Sequence, residues 1–200
     1  VARRQRSNTL NAPAMFETSL AQRGITWPLT ALITAATLGL LGPLVFDLEQ
    51  GLPLSLQSLL VCWLPLMFGW RGGVAGVLAY LALGTFGLPV FAHYRSGVEV
   101  LSGPTGGYLM GMPVAALVLG AMVTDLPDET KDRERYLRVG FGMILGHAVI
   151  LAMGIPWQMK FSPELDIPAL LNRLYKPVLI KSTLGLLLTV LALRATALRA

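Results

Sequence analysis

Long uncharged windows alternate with short polar punctuation along this chain. Six such windows, at residues 25–46, 52–70, 72–91, 108–124, 139–159 and 177–193, stand out. Each approaches the ~20 residues that carry a helix across ~30 Å of hydrocarbon at a rise of ~1.5 Å per residue. The pattern predicts an all-α membrane protein, a bundle of six transmembrane helices. A cytoplasmic segment, residues 1–24, precedes a membrane domain over residues 25–200. Composition agrees: 54% of residues are hydrophobic, 14% are charged, and the mean hydropathy is +0.62. Soluble domains carry about 25% charged residues, so a water-facing exterior is excluded.

Charge orients the bundle. Six crossings place both termini on one side, and that side holds eleven of the 16 Lys and Arg residues. The positive-inside rule then puts both termini in the cytoplasm. The charged stretch "DLPDETKDRERYLR" (residues 125–138) becomes a solvated cytoplasmic loop between the fourth and fifth spans. The formal charge of +5 sits beside apolar segments. That placement suits anionic lipid, not nucleic acid. No signal peptide is expected, because the basic start "VARRQRSN" leads into the polar "TLNAPAMFETSLAQRG" and not into a short apolar core. The single cysteine, Cys62, excludes an internal disulfide framework and reads as a small buried hydrophobe.

The polar and helix-breaking residues that remain gather on the outer side. "TFGLPVFAHYRSGVEVLSGPTGGYL" (residues 85–109) is too apolar for a plain surface loop and is expected to fold over the bundle as an irregular lid. Pro104 and Thr105 suit the start of the fourth helix, and Gly106 and Gly107 permit close approach. Free N–H groups there would favour an anion or a carbonyl oxygen; tight helix packing through small residues is the alternative. A phosphate-cradling loop is excluded for want of its lysine. Lys181, one turn inside the last span, either marks a functional site or snorkels to the interface. Gln57 and Ser55 from the second span, and His147 and Trp157 from the fifth, are placed to face the same outer cavity. Catalysis has little support. His93 and His147 do not make a metal cluster, no intramembrane carboxylates pair, and Ser102 lacks a nucleophile context. We expect no metal, no cofactor and no enzyme.

"LPLSLQSLL", "GVLAYLALGTFGLPVFA" and "SGPTGGYLMGMPVAA" occur in this order. They resemble the BioY family, the biotin-specific S components of energy-coupling factor (ECF) transporters, from about residue 25 to residue 195. The resemblance implies an ECF S-component-like bundle in a bacterial cell (inner) membrane that binds one vitamin molecule near its outer face. Uptake would be energised by partner ATPases and a transmembrane coupling protein. An Ala-x-x-x-Ala motif for docking that coupling protein matches Ala31 and Ala35 in "ALITA". For biotin, Phe91 and Tyr108, with Trp157, would bury the ring. Lys181, Arg95 and the Gly106 and Gly107 amides are candidates for the carboxylate. Gln57, His93, Thr105 and His147 complete the expected ligand-binding set.

Two positions depart from the family pattern. The family's Asp-x-x-Lys, whose aspartate suits the ureido N–H groups, has Val178 in the aspartate's place once its lysine is aligned with Lys181. The loop after "GLPVF" reads "AHYRSG" where small residues are usual. Either His93 or Arg95 takes over polar contacts, or the ligand is a different small vitamin-like carboxylate. A ligand-free membrane scaffold is the alternative from another class; it predicts an outer cavity filled by side chains.

Overall fold

The computed structural model describes residues 26–48, 52–124 and 132–197. In chain order these form helix α1 (Trp27–Leu41), strands β1 (Val45–Leu48) and β2 (Leu52–Ser55), and helix α2 (Leu56–Thr85). A 3₁₀ turn (Ala92–Tyr94) and the short α3 (Val98–Ser102) lead to α4 (Gly106–Thr124), α5 (Asp132–Met159) and α6 (Ile167–Ala197). Four helical stretches among the described residues are long and apolar enough to cross a membrane: Leu56–Thr85, Gly106–Val123, Arg133–Met159 and Ile167–Ala192. The 15 residues of α1 are apolar but shorter. The expected segment 1–24 lies outside the described residues.

The second and third predicted spans merge into α2, yet α2 is not straight. Gly69 takes φ 75° and ψ 175°, a conformation outside the helical region that favours glycine. The arms on either side fold back on each other. A Cβ on Gly73 would lie 2.6 Å from the Pro65 Cβ, whereas eight residues along a straight helix span about 12 Å. Each arm then has its own neighbour. Gly72 and Gly76 abut Thr30 and Thr34 of α1, while Leu66 and Cys62 meet Gly142 and Gly146 of α5. Small residues at these crossings let the helices approach closely, the usual device where lipid removes the hydrophobic drive between helices.

Several predicted boundaries move. The first span was expected to run to residue 46, but α1 stops at Leu41 ahead of Gly42 and Pro43. Proline shortly after a helix end cannot continue the helix. The residues that follow pair as an antiparallel hairpin, Val45 opposite Ser55 and Leu48 opposite Leu52. Hydropathy alone does not separate a short apolar strand from a helix segment. The charged stretch 125–138 is not all loop: its second part forms the first turns of α5, where Glu134 and Arg138 pair at 2.8 Å one turn apart. Similarly α6 begins ten residues earlier than predicted, because helices extend past the apolar window that hydropathy detects. The segment expected to be an irregular lid is partly regular, with the 3₁₀ turn, a Phe91–Arg95 bridge and α3.

The core runs the length of the bundle, from Tyr80, Phe91 and Leu38 to Leu66, Leu119, Val139 and Met143. Large apolar side chains such as Leu32, Leu40, Leu117 and Leu191 point outward. In water they would form sizeable apolar patches; in a bilayer they meet lipid.

Candidate functional site

Where α2 begins, the lid segment and helices α4, α5 and α6 enclose a cavity of about 430 Å³. That is within the range of small-molecule sites. From α2 and its approach come Ser55, Gln57 and Ser58; from the lid come Phe91, Ala92, His93 and Arg95. Helix α4 contributes Tyr108, Leu109 and Met112, α5 contributes His147, Ile150 and Leu151, and α6 contributes Leu174, Pro177, Val178 and Lys181. Val45, Val100 and Thr105 close the remaining wall. The lining is mostly apolar, with a few polar groups converging from different helices.

Lys181 is the dominant one. It is 7% exposed, and its Nζ donates to the Ser58 hydroxyl at 2.9 Å. The side chain therefore turns into the cavity and does not snorkel. Arg95 stands at the exposed rim. Neither cation meets a carboxylate among the described residues, and no lining residue is acidic. A buried charge without a counter-ion is costly, and the Ser58 hydroxyl is the one hydrogen-bond partner seen for the Lys181 ammonium among the described residues.

The other polar residues are held by specific contacts. Gln57, buried, donates through Nε2 to the Met112 thioether at 3.5 Å, a weak acceptor. His147 Nδ1 lies 2.7 Å from the Met143 carbonyl oxygen. Tyr108 presents its ring to the cavity, while its hydroxyl donates to Gln158 Oε1 at 2.6 Å. Phe91 is buried edge-on against Tyr80, with ring centroids 5.7 Å apart. The Tyr80 hydroxyl donates to the Val90 carbonyl at 3.1 Å, which fixes the start of the lid. His93 (φ 59°) and Tyr94 (φ 57°) adopt left-handed backbone, uncommon outside glycine, and His93 N–H donates to the Pro43 carbonyl at 3.0 Å. This strained turn carries His93 and Arg95 to the cavity mouth. Thr105 lines the wall, its hydroxyl 3.5 Å from the Val100 carbonyl.

Eight of the ten expected ligand residues thus share one cavity; two do not. Gly106 and Gly107 are not part of its wall. A Cβ at Gly107 would collide with Trp157, and the Gly106 N–H already donates to the Gly103 carbonyl at 3.0 Å. Of the two readings the sequence left open, tight packing is the one seen. Trp157 is not a wall residue either: its Nε1 donates to the Gly103 carbonyl at 2.9 Å and clamps the lid's end to α5. Of the Ala31–Ala35 pair expected to dock a partner, Ala35 is buried at 5% exposure and Ala31 is half-buried, and a Cβ on Gly76 would lie 2.7 Å from the Ala31 carbonyl oxygen. The exposed strip of α1 is Leu29, Leu32, Ile33 and Leu40. Sequence reasoning missed Ser58 and Met112. Both neighbour residues or motifs already singled out, but their contacts to Lys181 and Gln57 span 123 and 55 residues and have no local signature.

Comparison with known proteins gives the pattern a name. The BioY family pattern matches residues 16–200. The biotin transporter BioY2 of Lactococcus lactis subsp. cremoris is 31% identical over 160 residues, covering 80% of this chain and 84% of that protein. The biotin transporter BioY of Thermotoga maritima is 37% identical over 103 residues. That match covers 52% of this chain and spans little more than half, 57%, of the Thermotoga protein. Among solved structures, the S-component for biotin from an ECF-type ABC transporter superposes with a TM-score of 0.70 at 21% identity, over 84% of this chain and 90% of that one. At that identity the likeness establishes the fold. With the family pattern running through nearly its whole length, the chain belongs to the BioY family.

Proposed function

We propose that this chain is the membrane subunit that binds biotin for uptake, and that partner ATPases and a transmembrane coupling protein energise the transport. The observation that carries the reading is Lys181: a buried ammonium, held by Ser58, in an apolar cavity that contains no carboxylate to pair with it. Biotin matches that lining with an apolar fused ring, a flexible aliphatic tail and a carboxylate. Lys181 and Arg95 receive the carboxylate; Phe91, Tyr108, Met112 and Ile150 surround the apolar body; Gln57, His93, Thr105 and His147 supply polar contacts. Members of this family are transporter subunits, not enzymes.

The fold supports the transport reading at finer grain. Counting the arms of α2 on either side of Gly69 separately gives six crossings with α1, α4, α5 and α6. Both termini then lie in the cytoplasm of a bacterial cell membrane. A second reading, a different small vitamin-like carboxylate, has one observation in its favour. Val178 lines the cavity where an acceptor for ureido N–H groups is expected.

The test compares biotin with its uncharged methyl ester on the detergent-purified protein and on Lys181→Met. The native protein should prefer the acid by at least about tenfold, given the ~1.5–3 kcal/mol typical of charged hydrogen bonds. Lys181→Met should lose that preference and keep its affinity for the ester. Equal affinities of the native protein for acid and ester would remove the carboxylate from the site.

A further inference from the structure

The imidazole of His147 lines the cavity from the middle of α5 and is 3% exposed. Nδ1 sits 2.7 Å from the Met143 carbonyl oxygen. A carbonyl only accepts, so Nδ1 carries the hydrogen, and in the uncharged ring Nε2 is left as a bare lone pair. Nε2 is buried and meets no donor among the described residues. A histidine placed for packing alone would leave that acceptor orphaned, which folded proteins seldom tolerate. On α6, by contrast, the wall offers no acceptor at residue 178. Leu174, Pro177 and Val178 are all apolar there.

These facts interlock through charge. An aspartate at 178 would stand three residues before Lys181 on the same helix face, close enough to pair with it. With valine there, the Lys181 charge stays available for a ligand carboxylate, but a ligand N–H loses its acceptor on α6. A neutral imidazole can replace that acceptor without placing a negative charge beside the lysine.

We propose that His147 Nε2 accepts a hydrogen bond from a ring N–H of the bound ligand, doing from α5 what residue 178 cannot do from α6. This rests on the reading of the cavity as a biotin site, where the ureido ring supplies two N–H groups. His147 is then a specificity residue for cyclic ureas and related ring amides.

The test uses biotin and two analogues, each methylated on one ureido nitrogen, with the native protein, His147→Phe and His147→Gln. The native protein should bind one of the two analogues at least about tenfold more weakly than biotin, the loss expected for an unpaired polar group. In His147→Phe biotin should weaken about tenfold while that analogue barely changes. In His147→Gln, whose side-chain oxygen reaches the same position, part of the discrimination should return. Thermal unfolding of each variant checks the fold, and His147→Leu, which also lacks an acceptor, takes the place of His147→Phe if that variant does not fold. Discrimination that stays at the native level in the acceptor-free variant, or equal losses there for biotin and analogue, would overturn the assignment while leaving biotin binding intact. Failure of the native protein to bind biotin would overturn the proposed function and this assignment with it.

Discussion

Lys181 and Ser58 form a unit at the scale of single residues. A lysine near the end of a membrane-spanning stretch can run its stem outward and leave its ammonium at the interface. Here the 2.9 Å bond to Ser58, on a different helix, holds the charge inside the cavity instead. Ser58 is thus a positioning residue. Ser58→Ala should weaken biotin about three- to tenfold, in line with ~0.5–1.5 kcal/mol for one hydrogen bond. Ser58→Thr, which keeps the hydroxyl, should stay near the native value, and the methyl ester of biotin should be indifferent to both. Isothermal titration of the two ligands against the two variants measures this; a Ser58→Ala variant that weakens acid and ester alike would reduce Ser58 to a packing role. In the sequence Lys181 announces itself as a buried cation. Ser58 does not, since serines are common in membrane helices and its partner lies 123 residues away.

The decisive feature among the elements is the glycine turn inside α2. As one straight rod, 30 helical residues would span ~45 Å, well beyond a ~30 Å hydrocarbon layer. The reversal at Gly69 makes two short arms of it, and Arg71, stacked over Trp70 at 5.5 Å, sits just past the turn. If these arms are separate crossings, residue 71 faces the cytoplasm and residue 95, after the second arm, faces outside. Single cysteines at these positions in a Cys62→Ala background should therefore differ. The one at 95 should react with an impermeant maleimide on intact cells, and the one at 71 only after the membrane is opened. Equal labelling of both on intact cells would mean that α2 crosses once. The sequence showed this division as a polar break at Arg71 between two apolar windows. It did not show the β1–β2 hairpin, because short, largely apolar strand and helix segments look alike in hydropathy. Nor did it show the true starts of α5, which opens on the charged DRERYLR, and of α6, where Asn172, Arg173 and Lys176 interrupt the apolar pattern after the first turn.

At the scale of the whole molecule, the helices converge to leave one end open and lined with mixed chemistry. A scaffold without a ligand was expected to fill that space with side chains; about 430 Å³ remains. Most of the cavity's polar lining was legible beforehand, since Gln57, His93, Arg95, His147 and Lys181 each break an otherwise apolar pattern. What sequence reasoning could not supply was which side of each helix faces inward. Gly106, Gly107 and Trp157 therefore proved to join the lid to α5, and Ala35 proved to be buried between helices. The central claim is that this cavity holds biotin, and the most direct test is to identify what it carries. The protein should be purified in detergent from cells grown with biotin, and its bound small molecules identified by mass spectrometry. The account predicts biotin at close to one molecule per chain. A different compound in that place, or an empty site that also fails to take up added biotin, would contradict it.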